Sequence, residues 1–299
     1  MTLLENVKLG VLAVAIVMGA AASSDAQGRP PMRQHTATES EPLSLVKATK
    51  TAGRNKVSIS QKGSKRVITA NGIPAHKVGR FPNSGNPNRI KAQSYTFTMP
   101  LTPQKTVLST QSRMSIFGVG VNGVPFDPGA AEFWRGNPRS GWQYEALGGA
   151  VPLGLDANYA HVQPTGAYHY HGLPVGLMQQ LGWSRQAESP LIGFAADGFP
   201  IYAITATVNG RVTQMTSSYR LKSGNRTGNG PTGRNDGTFV QDYRYVAGAG
   251  TLDECNGAFV KTADYPQGTY AYFLTDSFPV IPRCHKGTPD PSFQKRRPR

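Results

Sequence analysis

The chain has 299 residues, a formal net charge of +15 and few charged residues, only 16%. Scarce charge argues against a protein built of long surface helices, and the 34 glycines and 23 prolines predict many turns and short strands. We therefore expect a mainly β fold: a single large β-rich domain, sandwich-like or made of irregular sheets, with few short helices.

The basic charge bears on the partners of the protein. It favours attraction to an anionic polysaccharide or envelope surface, although lysines and arginines scattered for solubility would give the same total. No nucleic-acid-binding motif accompanies the charge, so nucleic acid is not expected as a partner.

The first 26 residues have the pattern of a signal peptide. Lys8 precedes an apolar run from Leu9 to Ala22, which is too short to span a bilayer comfortably. Small residues at Ser24 and Ala26 suit a signal peptidase, so we predict cleavage after Ala26 and a secreted or periplasmic protein. An uncleaved membrane anchor is the alternative. No later segment is apolar enough to cross a membrane, so we expect no transmembrane span after cleavage.

Four segments follow this leader in the predicted organisation. Residues 27–55 are polar without a hydrophobic period, and we expect a disordered linker. The folded domain is predicted over 56–293 and a basic tail over 294–299. Alternating or continuous apolar residues within the domain predict strands near 57–59, 67–68, 95–99, 116–124, 191–204 and 269–275. The stretch 191–204 is broken by an Asp197-Gly198 turn.

Helix signals are few. Pro174 followed by Val175, Leu177 and Met178 predicts a short helix, because proline suits the first helical turn. A shorter helix is expected from Pro128 to Trp134. Residues 222–237 are rich in glycine and asparagine and predict a long surface loop.

The two cysteines are Cys255 and Cys284. In an exported chain such a pair usually forms a disulfide, and we predict this bond. The alternative is a pair of soft metal ligands.

Three of the six histidines fall within eleven positions. On an extended strand His169 and His171 share one face, while Tyr168 and Tyr170 share the other. Two imidazoles on one strand face can converge on one ion, and His161 can join them across the turn at 163–166. We therefore predict a metal site with His169 and His171 as its core. Histidines that simply face solvent are the alternative.

His76 is the fourth predicted ligand, because Pro74 stiffens the loop that carries it. Three or four neutral imidazoles suit Cu or Zn without choosing between them. His35 lies in the linker and receives no role. His285 follows Cys284 and is interpreted as a polar neighbour of the disulfide, although it could also be a ligand.

The acidic candidates are Asp197, Asp253 and Glu254. The last two could bind Ca²⁺, hold a ligand histidine or act as a base, or they could form a turn and cap around the disulfide.

The sequence resembles the YHYH family, exported proteins named after a Tyr-His-Tyr-His motif. Tyr168-His169-Tyr170-His171 matches that motif, and further matching segments cover about residues 68–293. Two departures are Ala271 between two tyrosines and His285 where an aromatic residue is expected, so no site is carried over to either position. The resemblance implies an exported domain without an assigned biochemistry, in a family often suspected of binding metal. The matching segments are 71–76, 122–126, 160–164, 197–202, 253–257 and 282–284.

Three functions are compatible with these residues. The first is an exported protein that binds a transition metal through the histidines. The second is a secreted metal-dependent hydrolase or oxidase, with Asp253 or Glu254 as base and Tyr168 or Tyr170 positioning the substrate. The third is a non-catalytic cell-wall or glycan-binding protein, in which the tyrosines and histidines only pack and form hydrogen bonds.

Overall fold

A computed structural model describes residues 34–111 and 115–295 of the chain. The predicted signal peptide over 1–26 and the end of the basic tail, 296–299, lie outside the described residues. Within them, short strands dominate and one α-helix occurs, which confirms the mainly β fold. No helix in the described ranges is long and apolar enough to cross a membrane.

The secondary structure consists of many short strands, in keeping with the glycine and proline content. The α-helix is α1 (Val175–Gln180), and 3-10 helices span Pro138–Ser140, Val240–Asp242 and Pro291–Phe293. The strands are β1 (Val57–Lys62), β2 (Lys65–Ala70), β3 (Tyr95–Pro100), β4 (Thr110–Gln111), β5 (Gly118–Gly120), β6 (Pro125–Phe126), β7 (Ala160–Val162), β8 (Tyr168–Tyr170), β9 (Gly193–Ala195), β10 (Pro200–Ala203), β11 (Thr205–Val208), β12 (Arg211–Gln214), β13 (Tyr219–Leu221), β14 (Tyr243–Tyr245), β15 (Gly257–Val260), β16 (Thr269–Leu274) and β17 (Cys284–His285).

An eight-stranded mixed sheet organises the domain, with strand order β15-β16-β10-β9-β5-β6-β8-β7. Two of its neighbouring pairs are parallel, β10 with β16 and β6 with β8. The remaining strands form a three-stranded meander, β1-β2-β3, and three two-stranded ribbons, β11-β12, β13-β14 and β17-β4. The histidine-bearing strands β7 and β8 therefore lie at one edge of the main sheet.

The core lies along the main sheet. Its largest buried cluster contains Tyr168, Tyr170 and Phe126 from the β6-β8 end together with Ile201 and Tyr272 from β10 and β16 in the other half of the sheet. A second cluster joins the meander to the main sheet through residues such as Phe97, Met99, Val119 and Phe194. Burying a large apolar side chain stabilises by roughly 1.5–3 kcal/mol, so these clusters fix the sheet on which the histidines are mounted.

The segment 34–55 differs from the predicted linker. Its backbone forms bridges to the domain at His35, Val46 and Lys50, and Leu43 and Leu45 pack against a buried cluster around Tyr144. The segment has no hydrophobic period because it binds as an irregular strap, held by backbone hydrogen bonds and a few apolar side chains. Periodicity, which was the basis of the prediction, does not detect this mode of binding.

Local predictions of helix, turn and strand had mixed outcomes. The helix after Pro174 is confirmed as α1, and the strand hairpin near 57–68 is confirmed as β1 and β2. The helix expected from Pro128 to Trp134 is wrong, since Phe133 instead forms a bridge with Gln143.

Candidate metal centre

The β7-β8 hairpin brings two of the predicted ligands face to face. In its antiparallel register, His161 lies directly opposite His169. The connecting turn closes with a 2.8 Å hydrogen bond from Gly166 N to Gln163 O. Gly166 has a φ of 89°, a conformation that side chains disfavour and glycine adopts freely. The predicted turn thus returns His161 to the strand that carries the other histidines.

The two faces of β8 have different chemistry, as the alternation predicted. Tyr168 and Tyr170 are fully buried in the core on one face. Tyr168 donates to Asp156 (2.8 Å), and Tyr170 accepts from Asn122 (2.9 Å). Because neither side chain is accessible, their placement gives no support to the substrate-positioning role considered for these tyrosines.

The three histidines converge on the opposite face. Nε2 of His171 lies 3.0 Å from Nε2 of His169 and 3.1 Å from Nε2 of His161. Among the described residues this is the single group of three or more His, Cys, Asp or Glu side chains whose ligand atoms all lie within 4.8 Å. A tetrahedral ion with 2.0–2.1 Å bonds needs ligand nitrogens about 3.3–3.4 Å apart, which is within a few tenths of an ångström of the two distances that involve His171. We call His161, His169 and His171 the histidine triad.

Backbone carbonyls orient two of the three rings. Nδ1 of His161 lies 2.9 Å from Leu153 O, and Nδ1 of His169 lies 3.1 Å from Ala167 O. A carbonyl only accepts, so both rings carry their proton on Nδ1 and direct an Nε2 lone pair toward the centre. Metal-ligating histidines are commonly held in this way, by donating the other ring N–H to a carbonyl.

His171 completes a group of three facing Nε2 atoms that has too few N–H protons to satisfy every nitrogen lone pair. Its buried Nδ1 has no hydrogen-bond partner among the described residues, and its Nε2 faces the two other Nε2 atoms. One proton on His171 could satisfy only one of those lone pairs. A cation at the centre would satisfy all three, so the donor set fits a metal ion.

Burial disfavours a proton in that place. It lowers the pKa of His161 and His169 to about 3, and the pKa of His171 well below its ordinary value. Repulsion between neighbouring imidazoles adds to the effect at His161 and His171. The triad is therefore neutral at physiological pH, the state in which imidazole binds metal.

His76, the fourth predicted ligand, does not join the triad. Its Nε2 lies 2.6 Å from the hydroxyl of Tyr170, on the tyrosine face of β8, and its Nδ1 lies 2.8 Å from Lys77 O. The ring therefore donates through Nδ1 and accepts the Tyr170 hydroxyl proton at Nε2. The loop that contains Pro74 is thus held against the buried Tyr170 of the core, and the residues next to His76 in the sequence do not predict this contact.

The acidic candidates lie apart from the triad. Asp197 is buried in the turn between β9 and β10 and accepts from the hydroxyl of Tyr272 (2.5 Å) and from Gly287 N (2.9 Å). Asp253 caps the turn before β15 and accepts from Tyr270 (3.0 Å), while Glu254 pairs with Lys286. Neither Asp253 nor Glu254 belongs to the triad, so a role as its base has no support from their placement.

The predicted disulfide between Cys255 and Cys284 is confirmed. Both sulfur atoms are engaged in this bond, which excludes the cysteines as metal ligands. His285 beside it stacks on Phe117, with ring centroids 4.7 Å apart, and its Nε2 lies 2.9 Å from Phe117 O. The histidine is thus a buried neighbour of the disulfide, as interpreted from the sequence.

Sequence reasoning missed three residues beside the triad. Asp127 follows β6, Gln163 follows β7, and Lys295 comes from the C-terminal segment. The Asp127 carboxylate accepts from Gln163 (3.1 Å) and pairs with the Lys295 ammonium (2.6 Å). The available signal was the position of Asp127, immediately after the matching segment that ends at Phe126.

Comparisons with known proteins agree with the resemblance seen in the sequence. The family model described as "YHYH protein" matches residues 96–287, which is more than half of the chain and contains the whole triad. No curated protein and no solved structure matched the chain. A four-residue motif is short, but the match extends from β3 to the residues after the disulfide. The chain therefore belongs to the YHYH protein family.

Proposed function

We propose that this protein binds a divalent transition metal, Cu(II) or Zn(II), through the histidine triad, and that it acts outside the cytoplasm. The observation that carries the proposal is the convergence of three buried Nε2 atoms, with His171 Nε2 3.0 and 3.1 Å from the other two. Neutral imidazoles suit both metals, and the donor set does not choose between them.

Calorimetry with Zn(II) and Cu(II) on the folded protein tests the proposal. We expect one ion per chain in the parent protein. Loss of a group that hydrogen-bonds to a metal ligand costs about 10–100-fold in affinity, so removal of a ligand itself in His169→Ala or His171→Ala should cost at least that much. Circular dichroism should verify that both variants fold, because β8 is also part of the core.

The control is His35→Ala, since His35 lies outside the triad on the 34–55 strap and makes a ring contact with Tyr144, centroids 6.0 Å apart. This variant should bind metal like the parent. Folded His169→Ala and His171→Ala variants that also bind like the parent would contradict the proposal. A glycan-binding scaffold, in which the histidines only pack, would then be the better interpretation.

A second candidate function is metal-dependent catalysis, as a hydrolase or an oxidase. The number of ligands favours it, because catalytic zinc sites typically combine three protein ligands with one open position. A cavity of about 460 Å³ is lined in part by Tyr159, whose carbonyl accepts from His171 N (2.8 Å), although the triad side chains are not among its lining residues. Turnover that is lost with a chelator and restored by the metal would separate catalysis from binding alone.

The extracytoplasmic location is supported by the disulfide, which persists in oxidising compartments, and by the leader pattern of residues 1–26. Protein collected from the periplasm or the medium should begin at Gln27 or within a few residues of it. Intact protein confined to the cytoplasm would contradict this part of the proposal. Binding to anionic polysaccharide or envelope surfaces stays a prediction from the net charge of +15.

A further inference from the structure

Asp127 lies on the same face of the sheet as the triad. Strand β6 runs parallel to β8, with Phe126 paired to Tyr170 and their rings 5.4 Å apart. Successive side chains of a strand point to opposite faces. Since Phe126 shares the tyrosine face, Asp127 is directed to the histidine face, and its N–H continues the pairing by donating to Tyr170 O (2.9 Å).

The Asp127 carboxylate is buried and only half satisfied. The residue is 1% exposed. Oδ2 accepts from Gln163 and from the Lys295 ammonium, and the Gly129 N–H also interacts with the carboxylate, whereas buried Oδ1 makes no hydrogen bond of ordinary distance and angle in the described part of the chain. Buried carboxylate oxygens without partners are costly, so each calls for an explanation. This oxygen belongs to a side chain on the same face of the sheet as the triad.

Lys295 brings a positive charge to the same place. Its ammonium is 2.6 Å from Asp127 Oδ2, so its charge lies beside a carboxylate that is directed to the histidine face of the sheet. A divalent ion at the triad would therefore meet a like charge nearby. The ion would also need a negative charge that three neutral imidazoles do not supply, because a buried charge without a counterion is expensive.

We propose that Asp127 provides the negative charge of the metal centre, and that a divalent ion bound at the triad displaces Lys295 from Asp127. The inference rests on the proposed metal-binding function. In the metal-free protein, Lys295 acts as the resident cation for Asp127. When the ion binds, the carboxylate exchanges one positive partner for another, and the C-terminal segment is released at Lys295.

Calorimetry with Zn(II) at low ionic strength tests both parts. Asp127→Asn keeps the shape of the side chain without its charge, and we expect at least about tenfold weaker binding, in line with the loss of a supporting carboxylate. Lys295→Met keeps the length of the side chain and removes the repelling charge, so it should bind more tightly than the parent. The matched control is Lys65→Met. Lys65 lies on β2 of the β1-β2-β3 meander and also forms an ion pair with an aspartate, Asp290 (2.9 Å). The control should bind like the parent.

Limited trypsin digestion provides a second measurement that does not depend on the variants. Cleavage after Lys295 in the parent protein should become faster when Zn(II) is added, because the side chain leaves Asp127. Cleavage at sites elsewhere in the domain should slow or stay constant, which controls for general loosening.

The outcomes separate the two proposals. A parent protein that binds neither Zn(II) nor Cu(II) removes the metal function and this inference with it. A parent protein that binds Zn(II), while Asp127→Asn binds equally well, leaves the triad as a metal site and overturns the role of Asp127. Unchanged affinity in Lys295→Met together with unchanged cleavage after Lys295 overturns the displacement.

Discussion

The placement of single ring protons determines what the histidines of this protein can do. His161 and His169 give their Nδ1 protons to backbone carbonyls and present lone pairs to the centre of the triad. His76 is held by a carbonyl in the same manner, yet its free nitrogen is taken by the hydroxyl of Tyr170, 2.6 Å away. Histidines in one domain thus divide into candidate ligands and structural acceptors according to the group that faces Nε2.

The substitution His76→Leu tests this division. It removes the acceptor of the Tyr170 hydroxyl, and a buried group left without its partner costs about 1–3 kcal/mol of stability. Metal affinity should stay at the parent value, because His76 lies on the other face of β8 from the triad. Denaturant unfolding and calorimetry on the same samples measure the two quantities. A loss of affinity comparable to that of His169→Ala would make His76 a ligand after all.

At the scale of elements, the β7-β8 hairpin sets the geometry of the triad. Its register places His161 against His169, and the turn at Gly166 fixes that register. A Cβ added at Gly166 would lie 2.6 Å from Cβ of Lys91, and the φ of 89° would strain any side chain there. The turn is therefore the point at which a small change would disturb the site without touching a ligand.

We expect Gly166→Ala to lower the free energy of unfolding by about 1–3 kcal/mol, since it combines backbone strain with a steric overlap. Metal affinity should fall as well, because the strands would shift to relieve the overlap. The control is Gly63→Ala at the tip of the β1-β2 hairpin, where φ is 60° and no atom lies within 4 Å of the added Cβ. The control should lose only about 1 kcal/mol and keep its metal affinity. Equal behaviour of the two variants would contradict a special role for the 163–166 turn.

At the scale of the whole molecule, the free energy of unfolding depends on the disulfide and on the protonation of buried groups. The disulfide joins positions 29 residues apart, the end of the segment before β15 and the start of β17. Closing a loop of that length stabilises by about 3–4 kcal/mol in the chain-entropy model. The double variant Cys255→Ala/Cys284→Ala should lose about that much in denaturant unfolding. Reductant should lower the stability of the parent but leave the double variant unchanged, and a reductant-insensitive parent would refute the assignment.

The buried triad should make the metal-free protein sensitive to acid. An unfolded imidazole has a pKa of about 6.5, whereas burial lowers the pKa of His161 and His169 to about 3 in the folded state. Below pH 6.5 the unfolded chain thus binds more protons, and stability falls as the pH drops from 6.5 to 3. Each imidazole contributes up to about 1.4 kcal/mol per pH unit in that window and nothing above it.

Burial raises the pKa of the Asp127 and Glu145 carboxyl groups, and this makes the folded state more stable as the pH falls. Because this effect opposes that of the histidines, the pH dependence of the parent must be compared with that of a variant that lacks one triad histidine. Melting temperatures of parent and His161→Gln should be recorded in chelator between pH 7 and 4. The variant should show the shallower dependence on pH. Equal slopes would indicate that His161 is not a buried neutral group.

The sequence by itself determined the features that depend on neighbouring residues. Strand alternation separates Tyr168 and Tyr170 from His169 and His171, because successive side chains must point to opposite faces. The glycine at 166 and the turn residues before it allow His161 to return to the same place, and the pair of cysteines in a chain with a leader pattern indicated the disulfide.

Only the tertiary structure decided which distant residues meet at the triad. His76 was predicted as a ligand because Pro74 stiffens its loop, but packing of that loop against Tyr170 places it behind the strand. The parallel pairing of β6 with β8 places Asp127 on the histidine face of the sheet, and Lys295 pairs with Asp127 from the other end of the chain. The pairing of segments far apart in sequence follows from the burial of their apolar faces together, and no local pattern of residues encodes it.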